Sequence, residues 1–96
     1  MNILIINGAN LNLLGRRQPE IYGRESFEEY LGALRARYSA HTIDYYQSNI
    51  EGEIVDKLQE ADGRYDAVIL NAGGYTHTSV VIRDAIAAIS VPVVEV

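Results

Sequence analysis

The chain has no cysteine, so disulfides, thiol catalysis and thiolate metal sites are excluded. It lacks basic character too: 8 Lys and Arg stand against 13 Asp and Glu, for a net charge of -5. Neither nucleic acid nor an anionic membrane is expected as the main partner, because each requires a basic face. No apolar run approaches the roughly 18 residues of a membrane span, and no basic leader precedes the first apolar run; the expected location is the cytoplasm. There is no low-complexity run, internal repeat or linker. The histidines, His41 and His77, lie far apart in sequence, so no metal-ligand cluster is expected. Neither G-x-G-x-x-G nor G-x-x-x-x-G-K-[ST] occurs, which argues against a nucleotide site.

What is present fits one small domain. A chain of 96 residues buries only about 60–65% of the surface its unfolded form exposes. Strand-like and helix-like runs alternate along it. Ile3–Ile6 is a short β-branched run that predicts a first strand, followed by a long loop over residues 8–24 containing Gly8, Gly15, Pro19 and Gly23. Ser26 with Glu29 three residues later forms a capping box, and Phe27, Tyr30, Leu31 and Leu34 follow at helical spacing. Thr42–Tyr46 predicts a second strand. Residues 50–61 predict a helix with Ile50, Ile54, Leu58 and Ala61 on one face. Asp66–Asn71 predicts a third strand, apolar enough to be buried on both sides. A third helix is expected over Thr78–Ile89 and a fourth strand over Val91–Val96. This order predicts an α/β domain with a parallel sheet, right-handed crossovers and helices on both faces, in the flavodoxin-like arrangement. The last strand is left as an uncovered edge, an aggregation hazard. The expectation is a domain cut short or completed by something else.

The polar chemistry concentrates in two loops. Each begins where an apolar run ends, at the carboxyl edge where open α/β sheets bind ligands. The first, NGANLNLLGRR from Asn7 to Arg17, continues to Tyr22. It reads either as a mobile surface loop or as a closing lid. A phenol ionises near 10 and needs help to act as a base. A cation about 4 Å away contributes roughly 4 kcal/mol at an effective dielectric near 20, about three powers of ten in acidity. Arg17 is thus able to bring Tyr22 close to neutrality. Asn10 and Asn12 are either turn-forming amides or amides that hold a substrate oxygen or a water. In the second loop, NAGGYTHTS from Asn71 to Ser79, Gly73 and Gly74 permit close backbone approach. The segment Thr76–Ser79 is expected to open the third helix, whose unpaired amides attract anions. His77 is either a solvated histidine or a ligand contact. Asp84, two helical turns after His77, is either half of a surface pair with Arg83 or part of a site. Glu95 in an apolar strand must be hydrogen-bonded, paired or at the rim. His41 is expected to be solvated.

Taken together, INGANLNLLGRRQPEIYG and ILNAGGYTHTSVVIRDA, followed by VPVVEV, resemble type II 3-dehydroquinate dehydratase across the whole chain in motif order and spacing. The resemblance implies a flavodoxin-like fold, no cofactor, and a homo-oligomer, a dodecamer built as a tetramer of trimers. The implied reaction is anti elimination of water from 3-dehydroquinate to 3-dehydroshikimate through an enolate. By position, Tyr22 would be the base and Arg17 would lower its pKa. Asn10 would hold a water against the enolate oxygen. Asn71, Gly73, Gly74 and His77 would bind substrate, and Asp84 would reach a neighbouring subunit's site. Glu95 would polarise the general acid, a histidine two positions further on. That histidine, a fifth strand and a last helix are beyond position 96, so the expectation is one incomplete domain over residues 1–96. The alternatives are an inactive assembly partner, or a receiver or flavin module on the same fold. A receiver needs an acidic residue where Asn71 stands.

Overall fold

Four short apolar runs pair side by side, all parallel, in the order β2-β1-β3-β4. The computed structural model describes residues 1–16 and 25–96. The strands are β1 (Asn2–Asn7), β2 (Thr42–Gln47), β3 (Ala67–Asn71) and β4 (Val93–Glu95). Three helices connect them: α1 (Phe27–Arg37), α2 (Glu51–Ala61) and α3 (Val80–Ala88). This is the flavodoxin-like order, with β1 at the point where the chain changes its direction of travel across the sheet.

Side chains alternate across each strand, and the two faces are buried unequally. Leu4 and Ile6 of β1 and Val68 and Leu70 of β3 join Ile54, Leu58 and Ala61 of α2 and Ile82 and Ala85 of α3 in the main core. Fully burying a Leu, Ile or Val side chain contributes roughly 1.5–3 kcal/mol, so this face supplies most of the stabilisation. The opposite face carries a smaller cluster of Ile5, Leu31 and Ile43, with Phe27, Leu34, Tyr45 and Ile69 packed beside it. Only α1 covers that side among the described residues. Ile69 is therefore half-buried rather than enclosed, and β3 is not buried on both faces as its composition predicts. Val94 and Val96, at 58% and 75% exposure, continue the open part of this face.

Helix ends follow local chemistry. Ser26 caps α1, accepting from the Glu29 amide at 3.2 Å, and the Glu29 carboxylate accepts from the Ser26 hydroxyl at 3.4 Å. Ser79 caps α3, accepting from the Ile82 amide at 3.0 Å. The second helix departs from expectation at its start. Ile50 is the N-cap residue of α2 and is 58% exposed, not part of the buried face.

Two other boundaries differ from the sequence expectation. The third helix begins at Val80, not Thr78, because residues Gly73–His77 form a separate 3-10 turn. The last strand is confined to Val93–Glu95. Val91 is buried but its amide goes to the Asp62 carboxylate at 3.1 Å, joined by the Ser90 amide at 3.0 Å. Pro92 has no amide to give, and its carbonyl accepts from Val68.

The free edge at β2 is partly protected. The amide of Thr42 donates to the Met1 carbonyl just before β1 and that of Ser48 to the Asn7 carbonyl at its end, so Ile43, opposite in the alternation, turns its carbonyl outward. The Arg35 guanidinium covers that oxygen with two hydrogen bonds, 2.9 and 2.7 Å long. Such coverage hinders pairing with another chain.

Candidate active site

Asn7 and Asn71 end adjacent strands in register, so the loops that follow them leave the sheet side by side. The Gly8 amide donates to the Asn71 carbonyl at 2.7 Å. Glycine is required here by contact. A β-carbon on Gly8 would stand 2.3 Å from the Ala72 oxygen, and one on Gly73 would stand 2.6 Å from the Ala9 oxygen. Gly73 also has φ +64°, a conformation that side chains disfavour. The Asn71 side-chain oxygen accepts from the Gly73 amide at 3.1 Å, which sets the turn.

Between the two loops lies a cleft of about 340 Å³ lined by Ala9, Asn10, Leu11, Leu13, Leu14, Gly73 and Gly74. That volume is within the roughly 300–1,000 Å³ range of small-molecule sites. Its location at the carboxyl ends of β1 and β3 is the topological switch point of this fold.

The structure thus brings Asn10, Gly73 and Gly74 together on one cleft. Asn71 stands at the end of β3 and lines a separate hollow with Asn7, Phe27, Tyr30 and Val96. His77, Asp84 and Glu95 are all exposed and line neither space. His77 ends the 3-10 turn, Asp84 lies on α3, and Glu95 sits in β4 in register with Leu70. Arg83 is directed to the Thr76 carbonyl at 3.4 Å, and helix neighbours i and i+1 do not face each other. His41 is exposed and accepts from the Met1 amino group at 3.2 Å. Arg17 and Tyr22, with the rest of the expected lid over residues 16–23 beyond Arg16, lie outside the described residues.

One expectation about anion binding is corrected. The amides of Thr78 and Ser79 both donate to the Tyr75 carbonyl, at 3.2 and 2.9 Å, so they do not await a carboxylate. The cause is the 3-10 turn, which folds the segment before Val80 back on itself.

A third loop, after β2, takes part without having been singled out in the sequence. The Asn49 side-chain oxygen accepts from the Asn10 amide at 2.9 Å, and its main-chain oxygen accepts from the Tyr75 hydroxyl at 2.7 Å. Gln47 donates to the Gly8 carbonyl at 3.2 Å and to the Asn49 side chain at 3.2 Å. The available signal was position: Gln47-Ser-Asn49 also follows an apolar run at the same sheet edge.

Among the described residues, three tyrosines depart upward from the ordinary phenol value of 10.0. Burial raises Tyr45, against the opposing hydrogen bond from Asn7. Burial and the Glu53 charge raise Tyr46. The hydrogen bond to the Asp44 carboxylate raises Tyr65, with burial adding to it. Each holds its proton more tightly than free tyrosine, which suits none of them to act as a phenolate at neutral pH.

Comparison with known proteins decides the family. The family model for dehydroquinase class II matches residues 1–96. The chain belongs to that family. It is 49% identical to the 3-dehydroquinate dehydratase of Synechococcus sp. (strain CC9605), covering 100% of this chain and 67% of the relative. It is 52% identical to the 3-dehydroquinate dehydratase of Campylobacter jejuni subsp. jejuni serotype O:23/36 (strain 81-176), covering 100% of this chain and 62% of the relative. The crystal structure of the type II dehydroquinase from Butyrivibrio crossotus DSM 2876 superposes with a TM-score of 0.90 at 43% identity, over 99% of this chain and 68% of that one. The type II dehydroquinase from Propionibacterium acnes gives 0.87 at 28% identity, over 98% and 66%. The chain therefore spans 62–67% of the length of these two curated relatives. Among the described residues no helix is long and apolar enough to cross a membrane, and no three His, Asp or Glu side chains are grouped to hold a metal ion.

Proposed function

We propose that this chain supplies the base and much of the substrate-binding surface of a 3-dehydroquinate dehydratase, in a protein as long as its relatives. The observation that carries the reading is the match of the class II dehydroquinase family to residues 1–96, with the cleft at the carboxyl ends of β1 and β3 in support. The reaction is anti elimination of water from 3-dehydroquinate, giving 3-dehydroshikimate in the shikimate pathway.

In the proposed sequence of events, Tyr22 acts as a phenolate and takes a proton from C2. The electron pair moves into the ring ketone, making an enolate whose oxygen is met by a water held at Asn10. The enolate then collapses, the double bond forms, and the C1 hydroxyl leaves as water with a proton from the general acid. Glu95 polarises that acid. Arg17 lowers the Tyr22 pKa through its charge. The upward displacement of Tyr45, Tyr46 and Tyr65 leaves these three poor substitutes for Tyr22. Asn71, Gly73, Gly74 and His77 hold the substrate, and Asp84 reaches a neighbouring subunit's site. The dodecamer, the cytoplasmic location and the treatment of residues 1–96 as one incomplete domain belong to the same proposal.

Replacing Tyr22 with Phe in the full-length protein tests it. The expected loss is about 10²–10⁴ in kcat, the usual contribution of a positioned acid or base, with the melting temperature retained. Formation of the conjugated enone from 3-dehydroquinate is the readout. Wild-type turnover by that variant would overturn the assignment.

A further inference from the structure

Asn10 has φ 70° and ψ -2°, the positive-φ conformation found at no other non-glycine position among the described residues. A residue held in that region persists when its surroundings over-determine it. Two main-chain contacts set it: the Asn10 carbonyl accepts from the Leu13 amide at 3.1 Å, and its amide donates to the Asn49 side-chain oxygen at 2.9 Å. The first is local to the loop. The second comes from the loop after β2 and is the one that ties Asn10 to a neighbouring part of the fold.

Asn49 itself is pinned. Its side-chain oxygen also accepts from Gln47 at 3.2 Å, and Gln47 in turn holds the Gly8 carbonyl at 3.2 Å. Its main-chain oxygen accepts from the Tyr75 hydroxyl at 2.7 Å. Tyr75 belongs to the 3-10 turn that begins with Gly73 and Gly74. One residue thus fastens both walls of the cleft, one with its side chain and the other with its main chain.

We propose that Asn49 is a positioning residue of the active site, its side-chain oxygen fixing the Asn10 backbone so that Asn10 stands on the cleft wall. The inference rests on the proposed dehydratase reading only for its kinetic consequence. Asn10 acts there on the enolate, which forms after binding, so a displaced Asn10 lowers kcat more than it raises KM. Replacement of the side chain leaves the main-chain bond to Tyr75 available, which separates the two walls.

The test compares Asn49→Ala and Asn49→Asp in the full-length protein at saturating 3-dehydroquinate. Misplacement of a reacting group by about 1 Å costs on the order of 10²-fold, so Asn49→Ala is expected to lose roughly 10- to 100-fold in kcat, with KM within about threefold. Asn49→Asp keeps an oxygen in the same place and is expected to retain at least about a third of kcat. Hydrogen exchange at the Asn10 amide provides a second readout, independent of turnover: Asn49→Ala is expected to speed it roughly tenfold. Should Asn49→Ala not fold, Asn49→Ser, whose hydroxyl is too short to reach, takes its place in both measurements. Wild-type kcat or unchanged Asn10 exchange in the truncating variant overturns the inference, as does an Asn49→Asp protein equally impaired. A wild-type protein with no dehydratase activity would defeat the proposed function alone, and amide exchange would still decide the role of Asn49.

Discussion

Gly8 lies so close to Ala72 that a β-carbon on the glycine would sit 2.3 Å from the alanine oxygen. The contact joins the first loop to the third strand's exit, where the Gly8 amide already donates to Asn71. Both partners are backbone, so neither has a rotamer to move aside. The two loops therefore leave the sheet in backbone-to-backbone contact that only glycine at position 8 permits.

Replacing Gly8 with Ala is expected to destabilise the protein by about 1–3 kcal/mol, the cost of overpacking a closed contact. Gly32 gives the opposite sign. It lies inside α1 with nothing within 4 Å of its would-be β-carbon, so Gly32→Ala is expected to add about 0.5–1 kcal/mol. Urea unfolding of the two variants measures both, and equal midpoints would contradict the packing argument.

The pH dependence of turnover tests the partnership of Arg17 with Tyr22. A cation beside the phenol favours its ionised form, so the acid limb of the rate profile should lie well below the roughly 10 of a free phenol. Arg17→Ala should move that limb to higher pH while leaving the alkaline limb in place. A limb that stays where it was removes Arg17 from the role.

Tyr65 makes a prediction about alkaline stability. Its pKa is raised in the folded protein, first by its 2.6 Å hydrogen bond to Asp44. A raised folded value means the pair stabilises fully below about pH 10, the unfolded value, and loses that contribution as pH climbs through the folded value. Tyr65→Phe should flatten the fall in melting temperature above about pH 10. An unchanged slope would show that the phenol's ionisation is not linked to folding.

Ser79 caps the helix that follows the second loop, through its 3.0 Å bond from the Ile82 amide. Ser79→Ala is expected to cost about 1 kcal/mol, whereas Ser79→Asp, which also caps, should recover most of it. Thermal melts of the pair provide the check. An alanine variant as stable as its parent would mean that packing of Ile82 and Ala85 alone holds α3.

Legibility followed the range of the interactions. Ile54 and Leu58 were recognisable as core from helical spacing, and Leu4, Ile6, Val68 and Leu70 as members of apolar strand runs, because such patterns are properties of near neighbours; which side chains of each run would be enclosed was not legible. Asn10, Gly73 and Gly74 stood out because glycines and amides directly after a strand mark the ligand-binding edge. Asn49 did not, since its significance is a contact with Asn10 that spans 39 positions. The start of α3 at Val80 was missed for a similar reason. Thr78 and Ser79 have helix-compatible identities, but their amides are captured by the Tyr75 carbonyl.

Local order along the chain, alternating apolar runs with capped, amphipathic stretches, was enough to determine a parallel α/β domain and the edge at which its polar loops emerge. Which face would be fully covered, how tightly Gly8 and Gly73 draw the two loops together, and that a side chain after β2 would hold Asn10 in a left-handed turn were decided by the tertiary structure. The reason is physical: periodicity and capping act within one or two turns of the chain, whereas close packing and the satisfaction of backbone hydrogen bonds depend on whatever the fold places alongside.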